Sequence, residues 1–177
     1  MQSNGDQGAT ILAGRFHNVV WVRVEGKGSF KNSPELKNFA AAMIDRGNSQ
    51  LVVDLKNCPV MDSTFMGTLT GIALKLKGSD EGSLQVINPN DRNRQLLESL
   101  GLDQIFDLDV DGSTWQSERA LVEDNLLKSV APPGLNKEEH SELVLEAHEA
   151  LCKANDDNVR RFKDVIEYLK NDLEDQS

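Results

Sequence analysis

Apolar positions along the first two-thirds of the chain switch between a two-residue and a three-to-four-residue period, and the switches mark out the elements. Val19-Val20-Trp21-Val22-Arg23-Val24-Glu25 is rich in β-branched residues and reads as a strand. A shorter strand is expected from Thr10 to Arg15, and His17-Asn18 suits the turn of a hairpin between the two. Leu51-Val52-Val53-Asp54-Leu55 reads as a buried strand, Ser83–Asn88 as another, and Gln104–Leu108 as a last short one. Helical spacing fills the intervals. Leu36, Phe39, Ala40, Met43 and Ile44 share one face behind Ser33-Pro34-Glu35, where Ser can cap, Pro suits the first helical position and Glu suits the first turn; Gly47 ends the helix. Phe65, Leu69, Ile72 and Leu76, with Met66 and Ala73, form the stripe of a helix over 63–77, in which Gly67 and Gly71 permit close packing on a sheet. Asn90 or Asp91 caps a short helix holding Leu96, Leu97 and Leu100, which Gly101 stops. Ser113 and Thr114 open a further amphipathic helix with Trp115, Leu121, Val122, Leu126 and Val130 on its apolar side. Alternating strands and helices of this kind predict an α/β class.

The pattern changes after Ala131-Pro132-Pro133-Gly134, because consecutive prolines end helices and stiffen linkers. Residues 1–9 are expected to be a disordered N-terminus, 10–130 one domain, 131–136 a Pro-rich linker and 137–177 a helical extension. Val159, Phe162, Ile166, Leu169 and Leu173 make a heptad seam, and Leu143, Val144, Ala147, Leu151 and Ala154 make a second apolar face. The two faces are out of phase across Asn155-Asp156-Asp157-Asn158, so a helical hairpin is preferred to one long helix. The seam is too short for a free-standing coiled coil, so it must pack on its own other half, on the first domain or on another copy of the chain, in which case 137–173 would form a homodimer.

Charge and cysteine content narrow the possible partners. The net charge is −10, which disfavours a nucleic-acid backbone and favours basic or mixed protein surfaces. Fifteen acidic and eight basic side chains lie in 113–177, so that region carries −7 of the total, as solvated helix faces commonly do. Cys58 and Cys152 form no paired motif, which excludes a disulfide framework and points to a reducing cytoplasm. Met1 to Gly8 is polar and no run approaches the ~20 apolar residues of a membrane span, so no membrane is expected.

Few residue constellations suggest chemistry. Gly26-Lys27-Gly28-Ser29-Phe30 has glycines beside a lysine but lacks the spacing of a phosphate-binding P-loop, and reads as a turn before a helix. His140 and His148 lie among Glu139, Glu142, Glu146 and Glu149, but neither has the Glu-x-x-His spacing of a bundle metal site; both are expected on the surface. Cys58 is expected to be buried and inert, and Trp21 and Trp115 to be packing anchors. No catalytic residue, metal ligand or cofactor site emerges. The informative stretch is Asp62-Ser63-Thr64, where a buried strand gives way to a helix. Ser63 has the chemistry of an N-cap, and a phosphate on it would meet the free amides and the positive end of the helix dipole.

Two stretches together resemble the STAS domain, a family that includes the bacterial anti-sigma factor antagonists. Leu51–Leu55 running into Val60-Met61-Asp62-Ser63-Thr64 is similar to the family's strand followed by Asp-Ser-Ser/Thr. Asn88-Pro89-Asn90-Asp91-Arg92, followed by the tract Leu96-Leu97-Glu98-Ser99-Leu100-Gly101-Leu102-Asp103-Gln104-Ile105-Phe106, is similar to its final helix, Gly-Leu and short strand. The resemblance covers roughly residues 10–130. It implies a mixed β-sheet of four to five strands with helices packed on it, here extended by the C-terminal helical hairpin. It further implies a cytoplasmic, non-enzymatic transcription regulator. Such a regulator binds a partner that is both an anti-sigma factor and a serine kinase, is switched off by that kinase, and is reset by a serine phosphatase. Ser63 would be the phosphoacceptor, with Thr64 the second candidate. Asp62, Ser63, Thr64, Phe65, Met66, Lys27 and Ser29 would form the partner-binding surface. The alternative is a STAS scaffold without phosphorylation, assembling through its helical tail. Phe65 stands where relatives commonly have Gly, and Lys27 lies where they commonly carry an Asp.

Overall fold

The computed structural model describes residues 10–79, 81–128 and 134–176. Six strands and six α-helices alternate: β1 Thr10–Phe16, β2 Val19–Glu25, α1 Ser33–Asp45, β3 Gln50–Asp54, α2 Ser63–Lys77, β4 Ser83–Ile87, α3 Asp91–Ser99, β5 Asp107–Asp109, α4 Gln116–Val122, β6 Leu127–Lys128, α5 Lys137–Ala154 and α6 Asp157–Asp175. They build one mixed sheet in the order β5-β4-β3-β2-β1-β6. β1 and β2 form the expected hairpin, in register from Thr10↔Glu25 to Phe16↔Val19, and β2, β3, β4 and β5 run parallel. The STAS-type architecture expected from sequence is therefore present, with the two-residue β6 added beside β1.

Strand alternation sorts the side chains into two cores. Val20, Val22, Val24, Leu51, Val53, Leu84 and Val86 face one side, where Leu36 and Ala40 of α1, Phe65 to Leu76 of α2 and Leu97 of α3 cover them. Val19, Trp21, Val52 and Ile87 face the other side and meet Val122, Trp115 and Leu126 around α4. Both faces being covered explains why the central strands read as continuous apolar runs.

Three sequence expectations need correction. The segment 104–108 is not one strand: Leu102–Gln104 is a 3-10 turn entered through the left-handed Gly101, and β5 starts at Asp107. The helix after Ser113 stops at Val122, because the chain then turns and adds β6 to the edge of β1. Within it Leu121 is exposed, and Val130 lies outside the described residues. Ser33 is not the cap of α1 but its first residue, and its hydroxyl donates to Ser29 O at 2.7 Å. The expected disordered 1–9 and residues 131–133 of the linker 131–136 also lie outside the described residues.

α4 is held to the sheet by a buried polar network. Asp54, fully buried at the end of β3, accepts from Arg23 Nε (2.9 Å), Trp21 Nε1 (3.2 Å), Asn88 Nδ2 (2.9 Å) and the Lys56 amide (3.0 Å). Arg119 reaches back from α4 to Asn88 Oδ1 and to Asp109 Oδ2, both at 2.8 Å. Burial works against the charge on Asp109, but hydrogen bonds from the hydroxyl and amide of Thr114, from Asp111 and from Gly112 hold its carboxyl well below the usual carboxylate range. A carboxyl with a depressed folded-state pKa contributes stability above its unfolded pKa and loses it as pH falls. Thermal unfolding of the wild type should therefore drop in midpoint as pH falls below about 4. Asp109→Asn should lose about 1–3 kcal/mol at pH 7 and show a flatter acid limb.

Candidate docking and phosphoacceptor site

Asp62, not Ser63, caps α2. Asp62 is extended, with φ −90° and ψ 173°, and its Oδ1 accepts from the Phe65 amide at 2.8 Å. Its Oδ2 accepts from the Phe30 amide at 3.0 Å, so one carboxylate ties the helix start to the loop 26–31. Backbone bonds from Gly28 N to Val60 O (3.0 Å) and from Asp62 N to Gly28 O (2.8 Å) fix the same junction. Gly28 is needed there, because a Cβ on it would lie 2.7 Å from the Phe65 ring.

With capping done by Asp62, Ser63 occupies the first helical position and its hydroxyl is available. It lies 3.0 Å from Nε2 of His148, on α5. His148 Nδ1 is 2.7 Å from the carbonyl of Val144, which can only accept, so Nδ1 carries the proton and, in the neutral ring, Nε2 accepts from the Ser63 hydroxyl. His148 is only 3% exposed and its ring meets Phe162 edge-on at 5.1 Å. The expectation of a surface residue is thus corrected: His148 is four residues from Val144 and beside Ala147, on the apolar face of α5, and the acidic neighbours lie around it.

The hairpin α5–α6 is seated on α2. Gly67 faces α5 rather than the sheet, and a Cβ placed on it would come within 2.2 Å of the Ala147 carbonyl oxygen. Gly71 lies one turn on, where its Cβ would be 3.9 Å from that of Ala150. Lys37 of α1 pairs with Glu146 at the rim, and Phe30 meets His140 edge-on at 5.2 Å. At the far end, Asn158 Nδ2 donates to Leu100 O (2.9 Å) and Leu151 O (2.8 Å), while Leu151, Ala154 and Phe162 join the main core. Of the heptad seam, Phe162 packs against both His148 of the hairpin and the main core, Leu169 is buried, and Val159 is exposed.

The predicted site residues separate into layers. Asp62 and Ser63 are half-buried at the junction; Lys27 is exposed on the adjoining loop. Thr64, Phe65 and Met66 are buried, and the latter two belong to the core, so the bulk of Phe65 sets the height of the Gly28 loop instead of lying on the surface. Ser29 is buried, its Oγ accepting from the Lys31 amide at 3.2 Å. Cys58 is buried as expected, and that burial pushes its thiol pKa up. Among the described residues no cluster of His, Cys, Asp and Glu is arranged to hold a metal, and no helix is long and apolar enough to cross a membrane.

Gly67→Ala offers a test of the α2–α5 contact. In an exposed helix it would stabilise by about 1 kcal/mol. Here it should destabilise by at least about 1 kcal/mol in urea titration, because the atom it strikes is backbone and cannot rotate away.

Comparison with known proteins agrees with this geometry. The family model described as Mlab, STAS domain matches residues 14–109. Over 85 residues the chain is 31% identical to the anti-sigma-B factor antagonist of Staphylococcus aureus (strain NCTC 8325 / PS 47), covering 48% of this chain and 78% of that protein. The fold is similar to a crystal structure of an anti-sigma factor antagonist from Mycobacterium paratuberculosis, with a TM-score of 0.56 and 23% identity over 69% of this chain and all of that one (100%). It is also similar to the anti-sigma factor antagonist SpoIIAA in its unphosphorylated form, with a TM-score of 0.50 and 16% identity over 64% of this chain and 94% of that one. A mixed sheet covered by helices, with Asp62 and Ser63 at the start of α2 and a family match across more than half of its length, makes this chain a member of the STAS domain family.

Proposed function

We propose that this chain is a cytoplasmic anti-sigma factor antagonist-like regulator, not an enzyme. Unphosphorylated, it binds an anti-sigma factor that is also a serine kinase. Phosphorylation of Ser63 by that kinase switches binding off, and a serine phosphatase restores it. The observation that carries this reading is the division of labour at the start of α2: Asp62 caps the helix, which leaves the Ser63 hydroxyl at the first helical position without a structural duty toward the backbone. The names of the relatives support the same class.

The physics of the switch is local. A phosphoryl group adds ~1.5–2 negative charges. On Ser63 it would sit at the positive end of the α2 dipole, which stabilises it, and beside Asp62, which makes the docking surface strongly anionic. Partner affinity can therefore fall steeply while the fold is kept. The net charge of −10 keeps nucleic acid out of the list of partners.

A second reading is favoured by the Ser63–His148 hydrogen bond, which gives the hydroxyl a purely structural partner. On that reading the chain is a non-phosphorylated interaction module, with a homodimer through 137–173 as one form of assembly. The two readings part in one experiment. The full chain is incubated with ATP and the purified anti-sigma factor kinase of the same bacterium, and the intact mass and phosphopeptide are measured. One phosphate on Ser63, absent in Ser63→Ala, is expected, and Ser63→Asp should bind the kinase at least about tenfold more weakly, a loss of ~1.4 kcal/mol. No phosphate, together with wild-type binding by Ser63→Asp, contradicts the switch and leaves the interaction module.

A further inference from the structure

We propose that the α5–α6 hairpin is a built-in competitor for the docking surface of α2. Docked, as in this structure, it withholds Ser63 and the outer face of α2; the partner binds a form from which the hairpin has been displaced. This rests on the function proposed above and adds its regulation and the kind of partner element involved.

The first ground is position. The hairpin lies on the N-terminal half of α2, where the candidate phosphoacceptor is. The Ser63 hydroxyl proton is directed at His148 Nε2, 3.0 Å away on a ring that is nearly fully buried. A kinase needs an in-line approach of a phosphoryl group to that oxygen, and the imidazole with Phe162 behind it stands in the way.

The second ground is steric. With the Ala147 carbonyl lying where a Cβ of Gly67 would be, no other helix can occupy the Gly67 face of α2 while α5 is there. An element that replaces α5 must share its character. It must be a helix with small residues opposite Gly67 and Gly71 and a hydrogen-bond acceptor for Ser63, the helix-in-groove mode of recognition.

The third ground is the make-up of the contact. Its rim is the Lys37–Glu146 pair, both side chains substantially exposed. Between α1, α2 and α5 a groove of about 140 Å³, lined among others by Ile44, Thr68, Ile72 and Leu143, is left unfilled. The small side chains Ala147 and Ala150 bury little apolar surface against glycine. The polar anchor Asn158, bonded to Leu100 O and Leu151 O, lies at the far end of the hairpin. Because the hairpin is tethered, an effective concentration in the millimolar range keeps such a contact closed, yet a specific partner can outcompete it.

A reversible lock tests this in the full chain. A Cβ on Gly71 lies 3.9 Å from that of Ala150, within the range for a disulfide, so Gly71→Cys with Ala150→Cys, on a Cys152→Ser background, ties α5 to α2 when oxidised. Ala147→Glu with Ala150→Glu is the opposite variant, driving the hairpin off by burying charge on α5 while the α2 face stays native; hydrogen exchange must show α5 losing protection while β3 keeps it. Ser63 phosphorylation and binding are measured with the purified anti-sigma factor kinase and ATP. The oxidised lock is expected to be phosphorylated and bound at least about tenfold more weakly than its reduced form, and the Ala147→Glu, Ala150→Glu variant at least as strongly as wild type. Equal phosphorylation and binding by oxidised and reduced protein overturns the competitor role and leaves the proposed function standing. No phosphate and no binding in any form, with the Ala147→Glu, Ala150→Glu variant open by exchange, overturns the proposed function and the competitor role with it.

Discussion

The distance between α2 and α5 is set by one missing side chain. At Gly67 the backbone of α5 comes so close that a single methyl would collide with the Ala147 carbonyl. From that approach follow the other contacts of the extension. Ala150 comes to lie over Gly71, and His148 reaches the first turn of α2, where its ring accepts from Ser63. Leu151 and Phe162 drop into the core that α2 shares with the sheet, and Asn158 closes the far end on Leu100. Helices that touch through glycine and alanine gain van der Waals contact along their backbones but bury little apolar area. Such a contact is sensitive to a single added carbon.

The rest of the domain is built to hold the start of α2 still. The Asp62 carboxylate satisfies two amides, one in its own helix and one at Phe30, and backbone bonds to Gly28 brace the same point. On the opposite face of the sheet, Asp54 gathers Arg23, Trp21, Asn88 and Lys56, and Arg119 links that cluster to Asp109. These buried charges are paired and hydrogen-bonded, which is the condition under which they are tolerated. The serine therefore sits at a junction braced by side-chain and backbone hydrogen bonds.

Much of this was legible in the sequence. The buried runs 19–25 and 51–55 announce central strands because both of their faces are covered, and the helical stripe after Asp62 gives α2 its bounds of Ser63–Lys77. Asp62-Ser63-Thr64 in that setting points to the site. The cap lies one residue before Ser63, since Asp and Ser are both good caps and only the bonds from Gly28 N to Val60 O and from Asp62 N to Gly28 O decide between them. Leu102–Gln104 and the second half of the 113–130 stretch were misread for a different reason. Short apolar runs have no period of their own, and a 3-10 turn or a two-residue edge strand is imposed by its neighbours. His148 escaped because three glutamates near it suggest a solvated face. The signal was available, since His148 follows Val144 by four residues and Ala147 by one, on the face of α5 that carries Leu151. That this face meets α2, and meets it at the serine, is long-range geometry that no local pattern encodes.

The account stands or falls on whether the hairpin leaves α2 when the partner arrives. Hydrogen exchange of the full chain, read peptide by peptide with and without the purified anti-sigma factor kinase, measures that directly. The prediction is that α5 and α6 lose protection on binding while α2 gains it and β3 is unchanged. Unchanged or increased protection of α5 in the complex would contradict it, because the partner would then be docking with the hairpin still in place.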